Sequence, residues 1–210
     1  VYNGVDLSRF RPTPPARAAR PLILGVGRLI EKKGFEHLIA ACRILVDRGR
    51  ELDCEIIGGG ELAERLQRQI DATGLAGVVT LRGGLPTEAV AARMRDAFAV
   101  VLPCVVGGDG NVDALPTVII EAMASARAVV STRISGIPEM IVDGETGLLT
   151  DPGDPRGLAE ALGELLGSPA RVEAMGLAGR KRAETLFDLY TNARTIRDLI
   201  RTRGAVGSAA

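Results

Sequence analysis

The 210-residue chain has no tryptophan, and aromatic residues make up only 3% of it. We therefore expect no aromatic platform for stacking nucleic-acid bases. Its 26 basic and 26 acidic residues cancel, and the absence of a net positive charge argues against nucleic acid as the main partner. No apolar run reaches the roughly 18 residues of a membrane span, and the first residues do not read as a signal peptide. These absences predict a cytoplasmic protein without nucleic-acid partners, for which only peripheral membrane association is left open.

Cysteine and histidine are also scarce. The cysteines, Cys42, Cys54 and Cys104, are scattered, odd in number and set in apolar stretches, which is typical of reduced core thiols. His37 is the only histidine and lies within a predicted helix, which favours a surface or packing role. No Ser/His/Asp or Cys/His set supports a hydrolase, and no metal-ligand spacing is recognisable. We expect neither a metal nor a bound cofactor.

The chain does contain a regular alternation of apolar strands and amphipathic helices. Strands are predicted at 21–27, 53–57, 78–81, 98–102, 128–131 and 146–149. Helices are predicted at 35–47, 61–72, 87–96 (with Thr87 as its N-cap), 116–126, 155–166, 170–186 and 190–203. This alternation indicates an α/β Rossmann-like fold, a doubly wound parallel sheet of about six strands flanked by helices. Ligands of such sheets bind beyond the carboxyl ends of the strands, so the loops after the strands should form the site.

Two cationic residues follow the first predicted strand. Arg28 and Lys33 share their loop with Gly27 and Gly34, which allow the backbone to approach a ligand closely. A guanidinium suits a diphosphate through paired hydrogen bonds, and an ammonium suits it as a compact charge. An ordinary surface arginine and lysine are the alternative explanation.

Glycine-rich turns follow the second and third predicted strands. Gly58, Gly59 and Gly60 precede a helix, although their spacing is not the dinucleotide-binding fingerprint. A tight strand-to-helix turn would explain the same residues without a ligand. Arg82 and Gly83 follow the third strand and should reach the same edge of the sheet.

The segment from Asp113 to Glu121 carries two acids eight residues apart on either side of a proline. Pro116 suits the first turn of a helix, which leaves Asp113 in the preceding loop and Glu121 about one turn inside. Thr117 and Val118 would then offer free backbone amides to an anion. Burying an unpaired carboxylate costs several kcal/mol, so Glu121 needs a partner. A ribose diol would supply one, and a buried ion pair with an arginine is the alternative.

A series of short motifs runs in a fixed order along nearly the whole chain. They are Asn3-Gly-Val-Asp6, Gly25-Val-Gly-Arg-Leu-Ile-Glu-Lys-Lys-Gly34, Ile57-Gly-Gly-Gly60, Asp113-Ala-Leu-Pro116, Glu121-Ala-Met-Ala124, Val129-Val-Ser-Thr132, Gly136-Ile-Pro-Glu-Met-Ile141 and Asp143-Gly-Glu-Thr-Gly-Leu-Leu149. Each is modest alone, but together they resemble the C-terminal, donor-nucleotide-binding domain of retaining GT-B glycosyltransferases of family 4, the glycosyl transferases group 1.

The resemblance implies transfer of a sugar from a UDP-, GDP- or ADP-linked donor to an acceptor, with retained anomeric configuration. It also implies an N-terminal acceptor domain that is missing from this chain. Arg28, Lys33 and Asp113 would be catalytic, since the cations stabilise the departing diphosphate and Asp113 contacts the donor sugar. Glu121 would bind the ribose. The other donor-binding residues implied are Gly27, Gly58, Gly59, Arg82, Gly83, Leu115, Thr117 and Val118.

Two features depart from the family's pattern. The first acid is usually a glutamate followed by glycine, whereas Asp113 is one methylene shorter and precedes Ala114. The loop at 104–112 is longer than in many members. Both features bear on the identity of the donor sugar and not on the fold.

Other functions stay open at this point. A sugar-nucleotide epimerase or a phosphorylase can use the same two-domain architecture, but Asp113 has no evident acid/base partner and no lysine suggests a bound cofactor. A non-catalytic nucleotide-binding module is a further alternative. The transferase is the preferred prediction, with the isolated domain inactive.

Four segments are expected along the chain. Residues 1–20, with their proline-rich stretch, are an interdomain linker, and residues 21–186 are the nucleotide-sugar-binding domain. Residues 187–203 form a C-terminal helical tail that packs toward the missing domain. Residues 204–210 are a disordered tail.

Overall fold

The computed structural model describes residues 1–2, 4–13 and 20–206, and a parallel six-stranded sheet forms its centre. The strands are β1 (Leu22–Val26), β2 (Asp53–Ile57), β3 (Val79–Gly83), β4 (Ala99–Leu102), β5 (Ala128–Thr132) and β6 (Leu148–Thr150). Their order is β3-β2-β1-β4-β5-β6, with parallel pairing between neighbours. The predicted doubly wound α/β sheet of about six strands is therefore confirmed.

Helices cover the sheet in two groups. They are α1 (Phe35–Asp47), α2 (Ala63–Ala72), α3 (Thr87–Asp96), α4 (Thr117–Ala124), α5 (Ile137–Met140), α6 (Pro155–Leu166), α7 (Pro169–Leu186) and α8 (Leu189–Val206). α1 packs with α2 and α6, whereas α4 packs with α7. Right-handed crossovers on either side of β1 require this division between the two faces. The bounds of α1 and α6 agree with the prediction.

The central strands are buried on both faces, which explains their continuous apolar sequences. The three cysteines belong to this core, since none of them is more than 1% exposed. Their predicted core position is confirmed. Burial raises the pKa of Cys104 to about 12, so its thiol stays protonated and is a poor nucleophile.

The end of β3 differs from the prediction. The strand runs to Gly83, so Arg82 and Gly83 lie within it and not in the following loop. Pairing continues because the amide of Gly58 donates to the carbonyl of Gly83 at 2.8 Å, beyond a register shift between Ile56 and Ile57. A strand residue directs its side chain to a face of the sheet, which changes what Arg82 can reach.

The start of α3 also differs. Thr87 is the first residue of the helix and not its N-cap, which is Pro86. The carbonyl of Pro86 already accepts the amide of Val90 at 3.0 Å, so the helical hydrogen bonds begin one residue earlier than predicted.

Residues 1–2 and 4–13 pack against the helices, although the sequence predicted a linker over 1–20. Val5 forms an isolated parallel bridge with Asp188, and Phe10 is 3% exposed. The guanidinium of Arg180 donates to the carbonyl of Phe10 at 2.9 Å, which fastens this segment to α7. Residues 14 and 15 of the proline-rich stretch lie outside the described residues, and the linker role stays a prediction.

The far end of the chain is helical for longer than predicted. α8 continues to Val206, so residues 204–206 do not form the expected disordered tail. No proline stops the helix there. Residues 207–210 of that predicted tail lie outside the described residues. Across the part of the chain that the structure describes, no helix is both long and apolar enough to cross a membrane.

Candidate functional site

The loops after β1 and β4 meet at the carboxyl edge of the sheet. The amide of Val105 donates to the carbonyl of Lys32 at 3.0 Å, and the amide of Gly108 donates to the carboxylate of Glu31 at 2.8 Å. The ammonium of Lys32 reaches the side-chain oxygen of Asn111 at 3.3 Å. Glu31 and Lys32 belong to a short 3₁₀ helix, Glu31–Lys33, which precedes α1. This 3₁₀ helix therefore holds the long loop after β4.

Gly34 makes this close contact possible. It follows the 3₁₀ helix with a φ of 67°, in the left-handed region that side chains disfavour. A Cβ at this position would overlap the carbonyl of Pro103, the first residue after β4. The glycine thus allows two neighbouring loops to pack backbone against backbone.

Asp113 lies between two lysines. Its Oδ1 is 2.9 Å from the ammonium of Lys32, and its Oδ2 contacts the ammonium of Lys33. The three side chains are only 12–15% exposed. Burial alone would raise the pKa of Asp113, but hydrogen bonds from Lys33 and Lys32 outweigh it and hold the pKa below its usual value. The sequence predicted Lys33 and Asp113 for the site but missed Lys32, whose only signal was its place beside Lys33.

A groove of about 340 Å³ adjoins this cluster. It is lined by Arg28, Ile30, Glu31, Lys32, Glu61, Gly107, Gly108, Asp109 and Asn111. Arg28 is exposed, and its guanidinium has no hydrogen bond or ion pair with any residue that the structure describes. Lys32 touches both the groove and Asp113, so it connects Arg28 with the Lys33–Asp113 pair.

The glycine turn after β2 packs against the loop after β1. A Cβ at Gly58 would overlap the carbonyl of Gly27, and the amide of Leu29 donates to the carbonyl of Gly59 at 2.9 Å. Packing between loops therefore accounts for Gly58. A Cβ at Gly59 would meet open space, so this residue is free to approach a ligand.

Arg82 lies apart from the lysine cluster. Its guanidinium bonds to Oε1 of Glu55 at 2.6 Å, and Arg93 bonds to the same oxygen at 2.6 Å. Glu55 is only 6% exposed. Glu55 was not predicted from the sequence, since an acid within an apolar strand gives no sign of its partners. A place for Arg82 beside the nucleotide base stays a prediction, as does the same role for the exposed Gly83.

α4 begins beside the Asp113 cluster. Pro116 is its N-cap, and the amides of Thr117 and Val118 make no hydrogen bond among the described residues. Leu115 is half-buried against the loop after β5, where the amide of Gly136 donates to the carbonyl of Ala114 at 3.1 Å. Two free amides at a helix start can bind an anion.

Glu121 lies in the second turn of α4. Its carboxylate is half-buried and makes no hydrogen bond or ion pair with any described residue, so the alternative of a buried arginine pair is not observed. Burial raises the pKa of Glu121 above its usual value of 4.5. Such a carboxylate can accept hydrogen bonds from a hydroxyl-bearing ligand. Over the described ranges, no group of three or more His, Cys, Asp or Glu side chains could hold a metal ion.

Glu121→Gln is expected to raise the free energy of unfolding at pH 7 and, at the same time, to weaken ligand binding. A raised folded-state pKa adds stability that is fully present below the usual value of 4.5 and is lost as pH rises through the folded-state pKa. At pH 7 the charged carboxylate opposes folding, so the variant should have the larger free energy of unfolding there. The difference should shrink toward pH 4. Urea unfolding at both pH values measures it.

If Glu121 binds a ribose, as the sequence predicts, the same variant should bind a nucleotide roughly tenfold to a hundredfold more weakly, because a hydrogen bond to a charged acceptor contributes about 1.5–3 kcal/mol. Glu64→Gln is the control, since Glu64 is 91% exposed and lies on α2. A loss of stability at pH 7 in Glu121→Gln would contradict the unpaired state of the carboxylate.

The sequence pattern of the family described as glycosyl transferases group 1 matches residues 8–182. Among curated proteins, the chain is similar to a GDP-mannose-dependent alpha-(1-6)-phosphatidylinositol monomannoside mannosyltransferase of Mycolicibacterium smegmatis. The two sequences are 37% identical over an alignment of 212 positions, which covers 95% of this chain and 55% of that protein. The chain spans about half the length of the curated relatives it matches.

Two solved structures share the fold. A sucrose-phosphate synthase from Thermosynechococcus elongatus superposes with a TM-score of 0.86 at 28% identity, covering 97% of this chain and 52% of that one. The C-terminal domain of a glycosyl transferase group 1 family protein (LpcC) from Francisella tularensis superposes with a TM-score of 0.75 at 23% identity. That match covers 89% of this chain and 100% of the other.

Proposed function

We propose that this chain, which belongs to the glycosyl transferases group 1 family, binds the nucleotide-sugar donor of a glycosyltransferase. The observation that carries the proposal is the guanidinium of Arg28, which has no partner among the described residues, in a groove shared with Lys32 and next to the Lys33–Asp113 pair. An unpaired cation at the carboxyl edge of a doubly wound sheet is suited to a phosphorylated ligand.

Glycosyl transfer breaks the bond between the anomeric carbon of the sugar and the diphosphate, so negative charge develops on the departing oxygen. Arg28 and Lys33 would stabilise that charge, with help from the free amides at the start of α4. The backbone that carries Lys33 is held in place, since the 3₁₀ helix and the loop after β4 are hydrogen-bonded to one another. Asp113 would contact the donor sugar.

Glu121 would accept hydrogen bonds from the ribose hydroxyls of the donor. Its carboxylate is half-buried and unpaired among the described residues, so a diol would replace water there without breaking a protein contact. Glu121 carries the same charge as a phosphate, so a position deeper in α4 than the phosphate avoids repulsion.

The relative from Mycolicibacterium smegmatis supports GDP-mannose among the UDP-, GDP- and ADP-linked donors. Retention of anomeric configuration, and an acceptor-binding half elsewhere in the polypeptide, are further parts of the proposal. The chain covers about half of each relative, which supports an acceptor-binding half elsewhere in the polypeptide. The same coverage supports the proposal that the isolated domain transfers no sugar. A cytoplasmic location stays a prediction from the sequence.

Isothermal titration of the chain with UDP, GDP and ADP tests the proposal. One of the three is expected to bind with measurable heat, and the matching nucleoside monophosphate should bind at least about tenfold more weakly because it lacks one phosphate. Absence of heat with all three diphosphates would contradict donor binding. Equal affinities for monophosphate and diphosphate would contradict the role of the cations.

A further inference from the structure

Asp113 pairs with both lysines of the site. Each of its carboxylate oxygens is taken, one by Lys32 at 2.9 Å and the other by Lys33. Lys33 is 12% exposed, so little solvent screens this pair. A diphosphate that approaches Lys33 therefore meets an ammonium that is already neutralised by a carboxylate.

The other acid of the same loop behaves differently. Asp109 is exposed and lines the groove beside Arg28, but its carboxylate accepts from the backbone amide of Asn111 at 2.9 Å and contacts no described lysine. Among the three cations of the site, Arg28 alone has no described partner. The acid that matters for the lysines is thus Asp113.

We propose that Asp113 is an internal competitor of the diphosphate: its carboxylate pairs with Lys33 and gives this ammonium up to the phosphate oxygens of a bound nucleotide. Lys32 keeps hold of Asp113 during the exchange, since its ammonium also reaches Asn111 on the same loop. This inference rests on the proposed function. After sugar transfer, the return of Asp113 to Lys33 would favour release of the nucleoside diphosphate product.

Competition and binding are linked thermodynamically. If the diphosphate weakens the Lys33–Asp113 pair, then that pair must weaken diphosphate binding by the same factor. Removing the carboxylate charge should therefore tighten the binding of a nucleoside diphosphate, although Asp113 belongs to the site. A role confined to the donor sugar predicts no such gain, because the nucleoside diphosphate carries no sugar.

The test compares dissociation constants for GDP and UDP in the wild-type chain and in Asp113→Asn, measured by titration calorimetry at low salt. We expect the variant to bind about tenfold more tightly, as for removal of a carboxylate in direct contact with a partly buried ammonium. Asp113→Ser removes the same charge and should behave alike, so the test does not depend on the folding of one variant.

A control variant isolates the contact. Asp109→Asn removes one negative charge from the same loop, and the carboxylate of Asp109 contacts no described lysine. Its affinity is expected to stay within about twofold of the wild type. A similar gain in Asp109→Asn would assign the effect to the overall field of the site and overturn the inference.

Failure of the inference and failure of the proposed function give different results. If the wild type binds a diphosphate, and Asp113→Asn binds it equally or more weakly, only the competition is overturned. If the wild type binds neither GDP, UDP nor ADP, donor binding fails and the inference fails with it.

Discussion

The double variant Arg28→Ala/Lys33→Ala is expected to lose at least about a hundredfold in affinity for the nucleoside diphosphate that the wild type binds. Each side chain would donate charge-assisted hydrogen bonds to phosphate, and such bonds contribute about 1.5–3 kcal/mol apiece. The amides at the start of α4 cannot replace them, because they offer partial charges only. Titration calorimetry at constant ionic strength measures the loss.

The matched control removes an arginine and a lysine elsewhere. Arg68 is 72% exposed on α2 and Lys181 is exposed on α7, so Arg68→Ala/Lys181→Ala makes the same change in net charge far from the groove. Its dissociation constant should remain within about twofold of the wild type. Undiminished affinity in Arg28→Ala/Lys33→Ala would remove these two residues from the diphosphate site.

Gly34→Ala is expected to lower the free energy of unfolding by more than about 3 kcal/mol, as strain and overpacking costs add. The residue has a φ of 67°, and a Cβ there would overlap the carbonyl of Pro103. Relief would require the 3₁₀ helix and the loop after β4 to separate, so nucleotide binding should weaken as well. Urea denaturation followed by circular dichroism measures the stability change.

Gly49→Ala separates the cost of the left-handed backbone from the cost of steric overlap. Gly49 has a φ of 73°, close to that of Gly34, but a Cβ there would meet nothing within 4 Å. Only the left-handed backbone is penalised, at about 1–2 kcal/mol. Equal losses in the two variants would mean that the loops around Gly34 do not constrain one another.

The sequence was sufficient for the sheet and for the edge at which the loops after the strands lie. Apolar runs separated by helical periodicity predict parallel strands, and the residues that follow those strands must then meet at one edge. Lys33 and Asp113 are 80 positions apart and still touch, because β1 and β4 are neighbours in the sheet. The sequence pattern predicts that both loops lie at this edge, but not that Lys33 and Asp113 pair.

Side-chain partners could not be predicted in the same way. Arg82 was expected in a loop, but β3 continues to Gly83, and Arg82 lies on the same face as Thr80, the partner of Glu55, so that its guanidinium reaches Glu55. The sequence did not distinguish Lys32 from Lys33, because the two lysines are adjacent and both precede Gly34. Such choices depend on the local path of the backbone, which neither hydrophobic periodicity nor a motif specifies.

The burial of all three cysteines makes the domain suitable for site-specific labelling. Cys42, Cys54 and Cys104 are at most 1% exposed, and the protonated thiol of Cys104 reacts poorly. A maleimide dye would therefore attach selectively to a cysteine introduced at an exposed position such as Ser135, without removing any native thiol. Fluorescence from that single dye could then follow nucleotide binding in a chain whose hydrophobic core is unaltered.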